Sequence, residues 1–462
     1  QNPNLVFPTA SGFTTYSIEK LGPHHYAPEA VYVTKFDNSG KDVSSVDIAL
    51  PKRSGKDATL LKVIEGDNKL YIFSHVAVKK DGKNVLYAQV YNNVTDEVSG
   101  VKDIVTLPIA KVNNSGFFNI AISEDKSTLA VLVNEPFKKK TNEGIQVLTL
   151  DADLQEKSKA VHQLSFESER AYTETLFVEN DAKVNIVKKI GLHKKEPKTT
   201  LITINGEDKT EQQISADGFY ISDTEVVSIN GKHYLLGFAT DNAKPVVSMG
   251  GAKDNSYFLY DISDQKLIKH QEWSRETIKR VLGKGYIGLK VKTVFIDNDD
   301  IYLVGDCYSK HSEPIEGKNF EYNYRHWFGP GVMIKLNTSG EVMYETPLTY
   351  GEAHYNDMKY LGSFFPFLKD GKLHILANVK ESKLKNKKIV FGHGKINARV
   401  IVLHSFDDEG NMNTLPFWES QTGGAKMPTK FSPSQTLKLS DKVFYMYATG
   451  NESHKFGTMT LN

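Results

Sequence analysis

Apolar residues recur along this chain in short alternating runs, and the runs come in pairs. Residues 67–78, DNKLYIFSHVAV, show the unit: an acidic turn leads into an apolar stretch of strand character. The pattern returns as NGKHYLLGFA at 230–239, DNDDIYLVGD at 297–306 and DGKLHILANV at 370–379. With both flanks of the turn included, it occurs in seven segments: 60–76, 117–133, 173–189, 223–239, 292–306, 363–379 and 435–450. Each is an apolar run, a turn of Asn, Asp, Gly or Ser, and a second apolar run, which predicts a β-hairpin. Those turn residues tolerate the positive φ that a tight hairpin demands.

A second, more polar unit follows the hairpins, as in 144–164, 256–273, 331–348 and 398–417. One repeat is therefore four strands whose hydrophobicity fades toward the last. An innermost strand covered on both faces and a partly wet outermost one give this gradient in a propeller blade. A sandwich has little reason to repeat one hairpin seven times. The expected fold is all-β: a single β-propeller over residues 1–462 with seven four-stranded blades, beginning near residues 60, 117, 173, 223, 292, 363 and 435. Residues 1–28 read as an N-terminal extension. Residues 29–50 read as strands that close the ring together with the C-terminal 454–462, which removes an exposed edge. That N-terminal piece holds one strand more than the gap needs, leaving a five-stranded last blade or a partial eighth as the alternatives to seven plain blades. Helix is expected only at 273–283, WSRETIKRVLG, with Ser274 as N-cap and Gly283 as the stop.

Composition adds bounds. The chain has 462 residues, 39% hydrophobic and 24% charged, which is globular composition. The formal net charge of +1 gives no global field to attract nucleic acid. No apolar run is long enough to cross a bilayer as a helix. The single cysteine, Cys307, excludes an internal disulfide or a cysteine zinc cluster and reads as a buried small hydrophobe. A chain numbered from Gln1 reads as a mature, exported protein whose signal peptide has been removed.

The charges sort by position in the repeat. Connections between strands two and three are lysine-rich: VKKDGK at 78–83, FKKKTNEG at 137–144, KKIGLHKKEPK at 188–198 and KESKLKNKK at 380–388. The tight turns are acidic. A propeller would then present one basic face, with Lys138, Lys139, Lys140, Lys194, Lys195, Lys385, Lys387 and Lys388 prominent on it, and one acidic face. Such a body would orient itself toward a charged partner, although Asp and Asn also populate tight turns for backbone reasons alone. Only six residues are arginine, which argues against shape-specific phosphate grips.

Catalytic motifs are not found in the sequence. GKGYIG at 283–288 matches a dinucleotide fingerprint but has helix before it and strand after it, the reverse of what the motif needs. DNDD at 297–300 lacks the glycine and distal glutamate of a calcium loop and sits where a hairpin turn is required. SFDDEG at 405–410 resembles an Asp-box turn with its glycine displaced. The histidines show no ligand spacing. No cofactor, metal site or catalytic residue is therefore expected, which leaves only a hydrolase site assembled from distant blades as an enzymatic alternative.

One segment stands out. NFEYNYRHWFGPG, 319–331, interleaves Tyr322, Tyr324, Trp327 and Phe328 with Arg325 in the second-to-third connection of the fifth expected blade. Aromatics with an arginine suit a protein hot spot or a sugar-stacking platform. A loop packing its own aromatics inward is the other reading. The expected function is a non-enzymatic, protein-binding subunit, with a glycan- or ligand-binding propeller as the alternative.

The QNPN start, the lysine-for-arginine bias and the Tyr- and Asn-rich strands resemble exported proteins of bacteria that use type 9 secretion. Cargo of that system ends in a sorting domain, whereas this chain ends in a blade-like strand. The chain is thus similar in style to the plug subunit of the type 9 outer-membrane translocon. The resemblance implies a periplasmic protein, not itself inserted in the membrane. It would act as a monomer within a hetero-complex, sealing the periplasmic mouth of an outer-membrane β-barrel.

Overall fold

The computed structural model describes residues 5–9, 12–18, 30–37, 41–167, 171–191, 198–214, 219–240, 255–282, 288–314, 322–348, 352–355, 362–380, 399–419, 430–440, 442–449 and 454–461. The chain divides into two compact units, Gln1–Ile214 and Ser215–Asn462. Nearly all regular structure is strand. The sheets are antiparallel meanders that follow one another along the chain, the blades of an all-β β-propeller.

The first unit holds four blades. Blade one is Leu5–Thr9, Gly12–Ile18, Ala30–Asp37 and Asp42–Ala49. Blade two is Thr59–Glu65, Lys69–Val78, Lys83–Asn92 and Lys102–Pro108. Blade three is Phe117–Ile122, Thr128–Asn134, Asn142–Asp151 and Glu156–Glu167, and blade four is Ala171–Val178, Val184–Ile190, Lys198–Asn205 and Asp208–Gln213. In the second unit, blade five is Tyr220–Ile229, Lys232–Thr240, Ser256–Asp261 and Lys266–Glu272. Blade six is Leu289–Asp297, Asp300–Pro314, Tyr322–Asn337 and Val342–Leu348, with Glu352–Tyr355 added beside the third strand. Blade seven is Phe364–Lys369, Lys372–Lys380, Arg399–Phe406 and Met412–Glu419. Blade eight is built on Val443–Thr449, paired on one edge with Lys430–Phe431 and Leu437–Lys438 and on the other with His454–Thr460.

Among the described residues the sheets make eight blades, not seven. All seven expected hairpins are present. The difference lies at the N-terminus, where Ala30–Asp37 and Asp42–Ala49, expected to close the last blade, pair with each other, and Ala30–Asp37 pairs with Gly12–Ile18, which pairs with Leu5–Thr9, to make a complete blade. Pro8 lies in the first of these strands, and proline removes a ladder donor. Leu5–Thr9 is an edge strand of its sheet, where proline is tolerated.

The turns behave as their residues dictate. Asn230-Gly231 and Asp370-Gly371 have positive φ at both positions, the type I′ geometry that matches strand twist. Asn298, inside DNDD, also has positive φ and joins the paired Asp297 and Asp300, so that acidic run is a hairpin turn. Blades pack face to face within each unit. One cluster joins Ile72 of blade two to Val31 of blade one, and another joins Leu132 of blade three to Ile186 of blade four. In the second unit, Leu236 of blade five packs with Leu303 of blade six, and Met333 of blade six with Ile375 of blade seven. Cys307 is buried in the core, as its apolar surroundings predict. The expected helix is a single short turn, Arg275–Thr277, continued by a π turn over Ile278–Leu282. The Ser274 side chain accepts from Thr277 N as its N-cap, while Gly283 lies outside the described residues.

Candidate functional site

In each meander the connection between strands two and three leaves one edge of the blade, and the tight turns leave the other. The first edge carries recurring polar contacts in both units. A repeated device contributes to this. The first strands of blades two, four, five and six each carry a β-bulge near their start, at Leu60/Lys62, Thr173/Thr175, Ile221/Asp223 and Val291/Thr293. A bulge inserts one residue and re-aims the side chains around it. The bulged Glu174 meets Lys189 Nζ at 2.8 Å. Asp223 accepts from Lys290 Nζ at 2.9 Å and from Val291 N at 2.6 Å. The bulged Lys292 donates to Ser363 Oγ at 2.5 Å, and Ser363 Oγ in turn donates to Asp306 Oδ2 at 2.8 Å.

The most buried pair lies between blades three and four. Lys188 Nζ donates to Glu143 Oε1 at 2.5 Å and to Asn134 Oδ1 at 2.7 Å, and all three side chains are buried. Desolvation lowers the Lys188 ammonium pKa and raises that of the Glu143 carboxyl, while their mutual attraction opposes both shifts. Above this pair the rim is exposed. Phe117 opens the first strand of blade three with 76% of its surface accessible. Asn114 clamps the second-to-third connection: its Nδ2 donates to Phe137 O at 2.9 Å and its Oδ1 accepts from Phe137 N at 2.8 Å. Lys138, Lys139 and Lys140 follow, all exposed, in a turn closed by Thr141 Oγ1 donating to Lys138 O.

Blade six treats the same position differently. Its second and third strands run on past the blade as a long hairpin, paired from Tyr308↔Phe328 out to Pro314↔Tyr322. Glu352–Tyr355 pairs along the other side of Arg325–Phe328. The segment expected as a loop of a fifth blade is therefore strand in blade six. Its position in the repeat is the expected one, and the blade number moves by one because the N-terminal blade had not been counted. The step from Asp306↔Gly331 to Tyr308↔Phe328 contains a bulge, with Gly329 and Pro330 opposite Cys307. A Cβ on Gly329 would run into the Trp327 indole, so the closest residue beneath the ring is one without a side chain.

The five aromatic-segment residues separate along this hairpin. Phe328 is buried in the blade six/seven core, and Trp327 packs against the blade five/six core. Tyr324 is exposed, with Lys310 Nζ 3.8 Å from its ring centroid. Arg325 is half-buried, and the side chain of Tyr322 lies outside what the structure describes. His326 of the same segment, and Tyr308, which the sequence did not single out, join them. Tyr308 Oη and His326 Nδ1 are hydrogen-bonded at 2.7 Å, and the Tyr308 ring also meets Phe328 at 5.2 Å between centroids. Burial raises the Tyr308 phenol pKa. Of the basic-face lysines, Lys194, Lys195, Lys385, Lys387 and Lys388 lie outside the described residues. Among the described residues, no group of three or more His, Cys, Asp or Glu is arranged to hold a metal ion. No described helix is long and apolar enough to cross a membrane.

No family model matches the chain, and no curated protein matches it. Solved structures do align along most of its length. A polysaccharide lyase, Uly1, is 10% identical over 87% of this chain and 89% of its own, with a TM-score of 0.36. The WD40 domain of SCAP from fission yeast is 11% identical over 96% and 92%, with a TM-score of 0.40. The β-propeller domain of the Trilobed protease from Pyrococcus furiosus is 10% identical over 88% and 82%, with a TM-score of 0.31. Identities and scores this low carry nothing about activity, and the β-propeller assignment rests on the strand pairing described above.

Proposed function

We propose that this chain is a non-enzymatic, protein-binding propeller and that the hairpin extension of blade six is its working surface. The observation that carries this reading is the division of labour along that hairpin. Trp327 and Phe328 root it in the two flanking cores, and the ladder beyond them holds Tyr324 and Lys310 outward. A strand-braced platform pays little ordering entropy on binding, and exposed tyrosine beside a cation is typical interface chemistry. Within this reading the partner is an outer-membrane β-barrel translocon protein. The chain sits on its periplasmic side as a plug, one copy per hetero-complex, needing no cofactor. The resemblance to the type 9 plug subunit is what favours this partner.

The test is affinity purification of the tagged chain from its native envelope in mild detergent, followed by mass spectrometry. A stoichiometric outer-membrane barrel is the expected result, with recovery reduced in Tyr324→Ala and Arg325→Ala variants. Trp327 is left intact, because its removal would disturb the blade. A monomer that brings down no barrel overturns the plug reading and directs attention to glycan binding on the same platform.

A further inference from the structure

The rim of blade three, in the unit Gln1–Ile214, carries interface chemistry of its own. Phe117 is the most exposed of the large apolar side chains among the described residues. Val112 and Phe137 are also exposed on the segments that flank it. Lys111, Lys138, Lys139 and Lys140 are exposed on the same two segments. The nearby acids do not balance them. Glu143 is buried against Lys188, the half-buried Glu135 faces Gln146 Nε2 at 3.5 Å, and the exposed Glu167, paired with Asn142, is one carboxylate against four lysines.

The surface is built rather than incidental. Phe117 pairs with Asn134, so the segment leading into strand one runs beside the segment leaving strand two. The double hydrogen bond from Asn114 to the Phe137 backbone ties these segments together across 23 residues of sequence. Lys111 and Asn114 close a small turn at one end, and Lys138 and Thr141 close one at the other. Aromatic and cationic groups thus interleave on two clamped segments, an arrangement that fixes them before a partner arrives.

We infer that this rim is a docking surface for an acidic peptide segment of a partner protein that carries bulky apolar side chains. The lysines match carboxylates as point charges, and Phe117 and Phe137 supply the desolvated contact. This rim shares no residue with the blade-six hairpin, so binding at the two surfaces is separable.

The probe is a fluorescein-labelled synthetic peptide of alternating glutamate and phenylalanine, titrated against the full chain by fluorescence anisotropy. Saturable binding is expected. It should weaken about tenfold or more in Phe117→Ser and in the triple variant K138E/K139E/K140E. Raising the salt should weaken it as well. Tyr324→Ala in blade six should leave it unchanged, which separates this surface from the proposed translocon contact. These substitutions change exposed side chains only, so matched thermal melts verify the fold. No saturation, equal affinity in both variants, or equal binding of a peptide with lysine in place of glutamate would each overturn the inference. So would binding to anionic phosphatidylglycerol vesicles that depends on the same residues without any peptide binding, which would make the surface a lipid contact.

Discussion

The second-to-third connection of blade three and that of blade six hold the same place in the repeat and are built on different principles. In blade three the connection is short, and a side chain, Asn114, holds it in place. In blade six it is long, and backbone ladders on both sides hold it. The charges beneath differ in the same sense. Lys188 and Glu143 under the first rim are both buried. Lys292 and Asp306 under the second are 3.4 Å apart and bridged by Ser363. A propeller repeat thus fixes where a surface emerges and leaves open how it is held. A loop held by few bonds depends on each of them, whereas a ladder shares its load.

The largest expected effect tests the buried charges. Lys188→Met strips Glu143 of its cation in a buried site and should cost about 3–5 kcal/mol in urea denaturation. Adding Glu143→Leu should recover much of that loss, because the penalty comes from the unpaired charge and not from the missing bond. The matching change in blade six, Lys292→Met, should cost less, about 1–3 kcal/mol, since Asp306 keeps the Ser363 hydroxyl. Equal costs at the two sites would erase this part of the contrast.

The next test sharpens the contrast within blade six. Phe328→Ala removes a ring from the blade six/seven core and should destabilise by about 3–5 kcal/mol. Tyr324→Ala, four residues out along the same strand, removes an exposed ring resting under Lys310 and should cost under about 1 kcal/mol. The two substitutions should therefore divide by readout. Phe328→Ala should lower the melting temperature, and Tyr324→Ala should lower partner recovery with the melt almost unchanged.

Much of the fold was legible in the sequence, and the failures have physical causes. The hairpins were readable because period-two alternation and turn chemistry are local properties. The N-terminal blade was missed because residues 1–28 read as an extension and were not set among the repeated hairpins, although Leu5–Thr9 and Gly12–Ile18 pair as strands. The burial of Lys188 was in principle readable: it continues the core-facing series of Val184 and Ile186 at a spacing of two. Inward packing of the aromatics was one of the readings the segment allowed, but which of them turn inward was not legible, because the bulge at Gly329 and Pro330, opposite Cys307, interrupts the pairing there. The Asn114 clamp is a contact between two connections, and no pattern within either one announces it.

That clamp gives the smallest and most local expected effect. Asn114→Ala removes two hydrogen bonds to the Phe137 backbone, one donated and one accepted. Each is partly replaced by water, so the net cost should be about 1–2 kcal/mol. Little of it should appear in global unfolding, because a connection can open without its blade. The readout is therefore hydrogen exchange: amides of residues 137–141 should exchange faster in the variant, while those of 322–328 in blade six keep their wild-type rates. The blade-six amides have no counterpart weakness, since their protection comes from paired strands. Unchanged exchange at 137–141 would mean that the turn closed by Thr141 onto Lys138 holds the loop without the clamp. The two connections would then differ in length alone and not in the principle that holds them.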